Sequence, residues 1–348
     1  MRLEDIDKNF KLQGLPEGVE LEYFDVRKAP FKVWGLMYED DSFCRMPEAV
    51  AKATSGGVLA LHEHAAGGRV TFATNSKYVA MVCRVRSIGK MSHFTTIGSA
   101  GFDLYEENEF QCSFFPPYDY TEGYSASYSF AKSGERKLLI NFPLYTAVES
   151  LYIGIEKGAS LSAYNPYRDI PPIVYYGSSI TQGGCASRPG NAYQAKLSRE
   201  LLVDHINLGF SGNAKGETVM AEYIASLPMS VFVMDYDHNA LSAQYLAETH
   251  GRFYEIVRKK NPTLPIVFAS APDVAHRPDV FEARRAIIMQ NFVKYRAEGD
   301  ENLYFVDGAS FYQNTDKDFC TVDGCHPNDC GFYRMAMGFL PTLRKLLK

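Results

Sequence analysis

The second half of the chain alternates between short β-branched runs and longer runs with helical spacing, and this alternation restricts the possible folds severely. The strand-like runs are, in order, IVYYGSS, HINLGF, VFVMDYD, PIVFASA and LYFVDG. Stretches with apolar residues at helical spacing separate them. Because a strand, a crossover helix and the next strand return the chain to the same end of a sheet, these strands must be parallel. We therefore predict a three-layer α/β/α domain over residues 173–348, with its functional groups at the carboxyl ends of the strands.

The first half of the chain consists of short segments rich in β-branched and aromatic residues, with turn residues between them. We predict strands at 18–26, 31–38, 57–64, 69–76, 78–87, 124–131, 136–143 and 148–158. This pattern indicates an antiparallel, jelly-roll-like β-sandwich over residues 1–158. The polar segment 159–172 carries three prolines and is predicted to link the two domains.

Two local signals predict helix ends in the second domain. Asn191 together with Gln194 fits a capping box at the start of its first helix. Asn261 followed by Pro262 predicts the end of the third helix, because a proline cannot continue the helical hydrogen-bond pattern.

Charge and hydropathy argue against several classes of partner. The chain has 36 Lys and Arg against 41 Asp and Glu, so it lacks the basic excess of nucleic-acid-binding proteins. No run approaches the ~20 apolar residues that a membrane span needs, and the first residues lack an apolar signal sequence. We expect a cytoplasmic protein with no nucleic-acid or membrane partner and with reduced thiols, since its seven cysteines are an odd number. The oligomeric state stays open.

Four loops that follow predicted strands carry the reactive residues of the second domain. They are 177–184, 209–213, 235–239 and 321–327. The first presents a serine in a turn of small residues, and the second offers backbone N–H groups beside glycines. The third ends in an asparagine, and the fourth holds an aspartate and a histidine. Acyl transfer requires these groups, namely a nucleophile, oxyanion donors, a base and a carboxylate that orients the base.

The order of these residues resembles the SGNH, or GDSL-type, hydrolase superfamily, whose catalytic domain has a flavodoxin-like parallel sheet. The resemblance covers the whole second half of the chain. It implies a catalytic triad of Ser179, Asp323 and His326, with Ser179 as the nucleophile. It also implies an oxyanion hole formed by Ser179, Gly212 and Asn239. Such a mechanism proceeds through an acyl-enzyme and needs no metal or organic cofactor.

Two positions depart from the superfamily pattern. The usual Gly-Asp-Ser is Gly177-Ser178-Ser179 here, so a serine replaces the aspartate that braces the turn. The hydroxyl of Ser178 can bond to the backbone there, although more weakly. The usual Gly-x-Asn-Asp of the third loop is degenerate, with His238-Asn239-Ala240 in its place. Neither change removes a catalytic group.

Residues 101–105, GFDLY, fit the Gly-x-Asp-Leu-Tyr signature of a branch of the superfamily that carries an N-terminal β domain. The resemblance therefore extends to both halves, and this branch is similar in plan to two-domain carbohydrate esterases. It implies a serine esterase that removes small acyl groups, with O-acetyl groups expected, from a small-molecule or oligosaccharide ester. A lipid or thioester hydrolase with the same triad and a non-catalytic carbohydrate-binding protein stay open as alternatives.

Three charged residues near the predicted site are candidates for binding substrate. Arg188 follows the nucleophile turn, and Asp235 and Asp237 precede the oxyanion asparagine. Each has a structural alternative, which is a solvated side chain for the arginine and capping of the adjoining loop for the aspartates.

A metal site is the strongest alternative chemistry. Its ligands would be Cys320, Cys325, His326 and Cys330. The other cysteines of the chain provide no second closely spaced pair, so we predict that this set binds no metal. The loop 177–184 lacks the lysine of a phosphate-binding Walker loop. Flavin binding stays open only by analogy with flavodoxin-like folds.

Overall fold

The structure, a computed structural model, describes residues 18–86, 90–272, 278–312 and 316–348. Its contacts group the described residues into two compact units, each with its own core. The sandwich unit comprises the described residues up to Cys44, Glu63–Tyr167 and Arg188–Gly190. The sheet unit comprises Arg45–His62, Arg168–Ser187 and the described residues of Asn191–Lys348. This grouping differs from the predicted sequential division, because 45–62 belongs to the sheet unit and much of the predicted linker belongs to the sandwich unit.

Within the residues described, the sandwich unit contains two antiparallel sheets and a hairpin. Its strands are β1 (Leu21–Asp25), β2 (Lys32–Trp34), β3 (Met37–Glu39), β4 (Ser42–Cys44), β5 (Arg69–Thr74), β6 (Tyr78–Arg86), β7 (Phe102–Glu106), β8 (Glu109–Phe114), β9 (Gly123–Ser129), β10 (Arg136–Asn141), β11 (Ala147–Glu156) and β12 (Leu161–Ser162). One sheet has the order β1–β11–β6–β9. The other has the order β12–β5–β10–β7–β8, with β2 also paired to β5, and β3 pairs with β4. The predicted antiparallel sandwich is confirmed.

Alternation along β6 shows why this half of the chain forms a sandwich. Met81 and Cys83 are buried in the core between the two sheets. Ala80 and Val82 point to the opposite face of the same strand and pack against Tyr23. Successive side chains of a strand face opposite sides, so the period of two places apolar groups on both faces of β6.

Most of the predicted strand 57–64 is a helix, which ends at Leu61. Short helices in the first half are α1 (Glu48–Thr54), α2 (Gly56–Leu61) and α3 (Thr96–Ala100). α2 begins after Ser55, whose Oγ accepts a hydrogen bond from Val58 N at 3.1 Å. Val58 is completely buried in the core of the sheet unit. A short apolar run such as GVLAL suits a strand or a buried helix equally well, so its packing decides between them.

The sheet unit is built on a parallel five-stranded sheet. Its strands are β13 (Ile173–Gly177), β14 (His205–Gly209), β15 (Val231–Asp235), β16 (Ile266–Ala269) and β17 (Leu303–Val306), in the order β14–β13–β15–β16–β17. Its further helices are α4 (Ser179–Gln182), α5 (Tyr193–Leu201), α6 (Thr218–Ser226), α7 (Ala243–Lys260), α8 (Pro278–Ala297) and α9 (Asp329–Leu346). The predicted three-layer α/β/α architecture is confirmed.

Aromatic contacts join the helices of the sheet unit to one another. α5 packs on α9, with the ring centroids of Tyr193 and Phe339 5.3 Å apart. α7 packs on α8, where the rings of Tyr254 and Tyr295 are 4.2 Å apart. α7 ends at Asn261, as predicted. Among the helices in the described part of the chain, none has both the length and the apolar character needed to cross a membrane.

The predicted capping box at the start of α5 is wrong. The N-cap residue is Ala192, and no side chain caps the helix there. Asn191 Nδ2 donates instead to Asp329 Oδ2 at 2.8 Å, at the start of α9. Gln194 Nε2 donates to Thr181 O at 2.6 Å, within α4. The two amides therefore connect α5 to neighbouring elements.

The turn of α4 packs directly on the end of β14 because Gly209 has no side chain. A Cβ atom at Gly209 would lie 2.2 Å from the backbone N of Gln182. Asn207 Nδ2 donates to Thr181 O at 2.8 Å from the same strand. Close backbone approach and this hydrogen bond together fix α4 relative to β14.

We predict that Gly209→Ala lowers the free energy of unfolding by about 1–3 kcal/mol, because the added methyl forces the α4 backbone to move. Gly56→Ala is the matched control, since a Cβ atom at Gly56 meets nothing within 4 Å. The control should leave stability unchanged or raise it by less than about 1 kcal/mol. Urea denaturation of both variants tests this, and equal stability of Gly209→Ala and the wild type would contradict the packing argument.

Candidate active site

Ser179, His326 and Asp323 form a continuous hydrogen-bonded chain. Ser179 Oγ lies 3.0 Å from His326 Nε2, and His326 Nδ1 lies 2.8 Å from Asp323 Oδ2. Because an ionised carboxylate only accepts hydrogen bonds, Nδ1 carries the imidazole proton. Nε2 is then left to accept the hydrogen bond from the serine hydroxyl. This is the arrangement in which a histidine can remove a proton from a serine.

The loop that holds Asp323 and His326 is closed by its own backbone. Thr321 and Pro327 form an antiparallel bridge, and Val322 N donates to His326 O at 2.9 Å. Asp323 Oδ1 accepts a hydrogen bond from His326 N at 2.7 Å. Burial by itself raises the pKa of Asp323, but hydrogen bonds from the side chain and backbone of His326 outweigh it and lower that pKa to about 2. Asp323 is therefore charged at neutral pH and available to orient the imidazole.

Ser179 is the first residue of α4 and follows β13 directly. Ser178 is the N-cap, and its Oγ accepts a hydrogen bond from Ile180 N at 3.1 Å. Ser178 therefore bonds to the backbone of the turn, as expected from the sequence. Gly183 ends the helix after one turn with φ +102°. Ser179 is 6% exposed, so most of the residue is enclosed by the protein.

Gly212 and Asn239 lie in loops that a hydrogen bond joins. Asn239 Nδ2 donates to Phe210 O at 2.9 Å. Ser211 N donates to Gln182 Oε1 at 3.0 Å. Gly212 adopts φ +69°, a left-handed conformation that glycine takes without steric cost. These bonds tie the loop after β14 to α4 on one side and to the loop after β15 on the other.

The strand register explains why these loops meet. β13 lies between β14 and β15, and Gly177 pairs with Gly209 on one side and with Asp235 on the other. All three strands are parallel, so the loops that follow them leave the same edge of the sheet. The predicted nucleophile and oxyanion donors are thus carried by adjacent loops.

Arg45 supports this edge, although the sequence analysis did not single it out. Its side chain is 2% exposed. Its Nη2 donates to Leu61 O at 2.6 Å, and its Nη1 donates to Gly209 O. The guanidinium lies 4.4 Å from the ring centroid of Phe210. Arg45 therefore holds the end of β14 from which the Gly212 loop departs. Arginines are mostly exposed, so the sequence carries no signal of this burial.

Asp235 and Asp237 are buried, at 5% and 1% exposure. Asp235 Oδ2 accepts hydrogen bonds from Thr181 Oγ1 at 3.2 Å and from Tyr193 OH at 3.1 Å. Burial, reinforced by the charge of Asp237, raises the pKa of Asp235 well above its usual value. Asp237 Oδ2 accepts from Ala271 N at 3.0 Å. The predicted role of these carboxylates in binding substrate therefore lacks support, because the surrounding protein encloses both.

Arg188 is held by residues of the GFDLY signature. Asp103 Oδ2 accepts hydrogen bonds from Arg188 Nη1 at 3.1 Å and from Gly190 N at 2.8 Å. Arg188 Nη1 also donates to Tyr105 OH, and its guanidinium lies 3.9 Å from the ring centroid of Phe110. Asp103 is completely buried. These contacts give Arg188 a structural role in anchoring its own loop, and its predicted contact with substrate stays a prediction.

The four residues of the alternative metal set do not converge on one point. Cys320 is buried, whereas Cys325 Sγ lies 3.1 Å from His238 Nε2. In the part of the chain that the structure covers, Cys320 and Cys330 do not join Cys325 and His326 in a group of ligand atoms within 4.8 Å of one another. The four residues are close in the sequence, but the fold does not bring their ligand atoms together into one metal site.

The parallel sheet and the Ser–His–Asp chain together place the protein among α/β/α proteins with a hydrogen-bonded Ser–His–Asp site at the edge of the sheet. Family models place the chain more narrowly. Residues 171–344 match the GDSL-like lipase/acylhydrolase family, and residues 21–161 match the GxDLY N-terminus of SGNH-hydrolase-type esterases. The chain therefore belongs to the GDSL-like lipase/acylhydrolase family.

Solved structures share this two-part fold. A GDSL-like lipase from Bacteroides ovatus is 29% identical, with a TM-score of 0.86 over 94% of this chain and 98% of that one. The salicylyl-acyltransferase SsfX3 from a tetracycline biosynthetic pathway is 17% identical, with a TM-score of 0.77 over 94% and 97%. A family two carbohydrate esterase from Cellvibrio japonicus is 12% identical, with a TM-score of 0.64 over 94% and 98%. The last two similarities concern the fold alone. A search among curated proteins finds no match.

The environment of Asp237 leads to a prediction about pH. Burial raises the pKa of Asp237 to about 6, above its unfolded value. Between about pH 4 and pH 6 the folded protein therefore keeps a proton that the unfolded chain releases, and the free energy of unfolding falls as pH rises through this window.

We predict that Asp237→Asn abolishes this fall in the free energy of unfolding with rising pH, because asparagine does not titrate. Relative to the wild type, the variant should gain up to about 3 kcal/mol of unfolding free energy between about pH 4 and pH 6.5. Urea denaturation at a series of pH values measures the difference. A difference that stays constant with pH would show that Asp237 titrates as it does in the unfolded chain.

Proposed function

We propose that this protein is a serine esterase that hydrolyses small acyl esters, chiefly O-acetyl esters of carbohydrates, through an acyl-enzyme. The observation that carries the proposal is the hydrogen-bonded chain from Ser179 Oγ through His326 to Asp323, with distances of 3.0 and 2.8 Å. Membership of the GDSL-like lipase/acylhydrolase family supports the class of reaction.

In the first half of the reaction, His326 Nε2 takes the proton of Ser179 as Oγ bonds to the ester carbonyl carbon. Asp323 stabilises the imidazolium that forms, since its carboxylate accepts the Nδ1 hydrogen bond. His326 then gives the proton to the departing alcohol oxygen as the ester C–O bond breaks. Water repeats the sequence on the acyl-enzyme and releases the carboxylic acid and free Ser179.

The negative charge that develops on the carbonyl oxygen needs hydrogen-bond donors. The proposed donors are the backbone N–H groups of Ser179 and Gly212 and the side-chain amide of Asn239. One amide hydrogen of Asn239 is used on Phe210 O at 2.9 Å, which fixes the orientation of the side chain. The second amide hydrogen then points in a defined direction. A donor held in place before reaction stabilises the oxyanion without a cost of reorganisation.

The carbohydrate part of the proposal is supported by architecture. A family two carbohydrate esterase combines the same kinds of unit over nearly its whole length. Fold similarity at this level of identity is an analogy, and the substrate must be tested directly. Release of acetate from a panel of acetylated oligosaccharides is the decisive assay. We expect turnover of at least one member, and failure on all of them with activity on simple aryl acetates would remove the carbohydrate assignment.

Two further assays separate the alternative functions. A lipid hydrolase would cleave p-nitrophenyl esters faster as the acyl chain lengthens, whereas the proposed enzyme should be fastest with acetate. A fluorophosphonate probe should label Ser179, and a non-catalytic carbohydrate-binding protein would stay unlabelled.

We predict that Ser179→Ala lowers kcat for p-nitrophenyl acetate by a factor of about 10⁴ or more, because no other hydroxyl can take its place in the fixed turn. Ser178→Ala is the matched control. It removes only the N-cap hydrogen bond, worth about 1 kcal/mol of stability, and should keep activity within about tenfold. An inactive Ser178→Ala beside an active Ser179→Ala would show that the nucleophile is misassigned.

Loss of the base, His326, should reduce activity more than loss of its orienting carboxylate, Asp323. We predict that His326→Ala costs as much activity as Ser179→Ala, whereas Asp323→Ala costs roughly ten- to a hundredfold less. The reason is that proton transfer needs the imidazole, while the backbone bridge that closes its loop still holds His326 in position. Steady-state kinetics on folded variants, checked by circular dichroism, give the comparison. Wild-type rates for Asp323→Ala would show that another group orients His326.

A further inference from the structure

A thiol and a second imidazole lie beside the Ser–His–Asp chain and have no part in the proposed reaction. Cys325 lies between Asp323 and His326 in the sequence, and its Sγ is 3.1 Å from His238 Nε2. His238 comes from a different loop, the one that also carries Asn239. The two loops that flank the site are thus joined by a Cys–His contact.

Further donor atoms surround this pair. Single ligand atoms of Asp323, Cys325 and His326 all lie within 4.8 Å of one another. His238 is not part of this group of three, but its Nε2 contacts the Cys325 thiol that belongs to it. Carboxylate oxygen, thiolate sulfur and imidazole nitrogen are the donor types that zinc takes in proteins.

The position of His238 is constrained on both sides. Its ring stacks on Phe281, with centroids 5.1 Å apart and planes 25° from parallel. Its carbonyl accepts a hydrogen bond from Arg284 Nη1 at 3.3 Å. The ring nitrogen that meets Cys325 is therefore held in place and not on a freely rotating surface side chain.

We propose that Cys325 and His238, together with the Asp323–His326 pair, form an inhibitory site for a borderline-soft divalent cation such as Zn²⁺. Two ligands of a tetrahedral zinc ion lie roughly 3.5 Å apart. The Sγ–Nε2 separation of 3.1 Å is close to that value, so this pair needs only a small opening, and His238 must also move closer to Asp323 and His326 to complete the site.

Capture of the ion would inactivate the enzyme by competition for the same atoms. Cys325 loses its thiol proton to solvent when sulfur bonds to the metal, and the imidazoles bind through neutral nitrogens. A metal bond to either nitrogen of His326 replaces its hydrogen bond to Ser179 or to Asp323. The base is then unable to take the serine proton. The inhibition should be reversed by a chelator, and the chelator alone should not lower the activity of metal-free enzyme.

Titration of the purified 348-residue chain with zinc tests the proposal by measuring both zinc binding and esterase activity. Isothermal titration calorimetry with ZnCl₂ should give one zinc per chain for the wild type. Inhibition of p-nitrophenyl acetate hydrolysis should follow the same titration, while MgCl₂ at equal concentration should not inhibit. Calorimetry does not depend on turnover, so it decides the metal site even if the esterase assignment fails.

The variants Cys325→Ser and His238→Gln keep similar volume and remove one ligand each. Both should bind zinc about tenfold or more weakly than the wild type. At a given zinc concentration, zinc should therefore remove a smaller fraction of each variant's own zinc-free activity. Cys330→Ser is the matched control and should behave like the wild type. Zinc that binds Cys325→Ser and His238→Gln as tightly as the wild type would overturn the site. Zinc that binds through Cys325 without slowing hydrolysis would overturn its inhibitory role.

Discussion

Parallel pairing of β13 with both β14 and β15 places three residues of the candidate site, Ser179, Gly212 and Asn239, in neighbouring loops. The pairing aligns Gly177, Gly209 and Asp235 side by side, so three successive loops start from one edge of the sheet. A shift of one residue in either pairing would turn the side chains at that edge to the opposite face of the sheet. The short α4 turn adds a second constraint, because its backbone contacts β14 at a glycine. Sheet register and close backbone packing therefore fix Ser179, and the bridged loop before α9 brings His326 within hydrogen-bond distance of it.

The sheet unit was largely predictable because each of its signals is local and repeated. Strand-like runs alternate with helical ones, and the reactive residues follow the strands in order, so the three-layer fold and the proximity of Ser179, Asp323 and His326 could both be inferred. The predicted strand at 57–64 was wrong because a short apolar run does not distinguish a strand from a buried helix. Its true state depends on the core of the sheet unit, into which Val58 packs.

Polar side chains were harder to predict than apolar ones, since a charged residue in a sequence gives no indication of its burial. Asp235 stood beside a predicted oxyanion donor and looked available to substrate, yet it lies under α4 and bonds to Thr181 and Tyr193. Asn191 looked like a helix cap and bonds to α9 instead. Arg45 carried no motif at all. Each depends on partners distant in the sequence, and only the folded chain specifies those partners.

The chain enters the sheet unit three times, first through 45–62, again after Tyr167 and once more after Gly190. The early segment brings Arg45, which binds the carbonyl oxygen of Gly209 beside the candidate oxyanion loop. The two units are therefore not modules that a single genetic break could separate. A recombination event near residue 170 would transfer the Ser–His–Asp residues without the arginine that holds the end of β14 beside the Gly212 loop. Sandwich and sheet units of this arrangement are expected to be inherited together, with substitutions on either side of that break constrained by the same site.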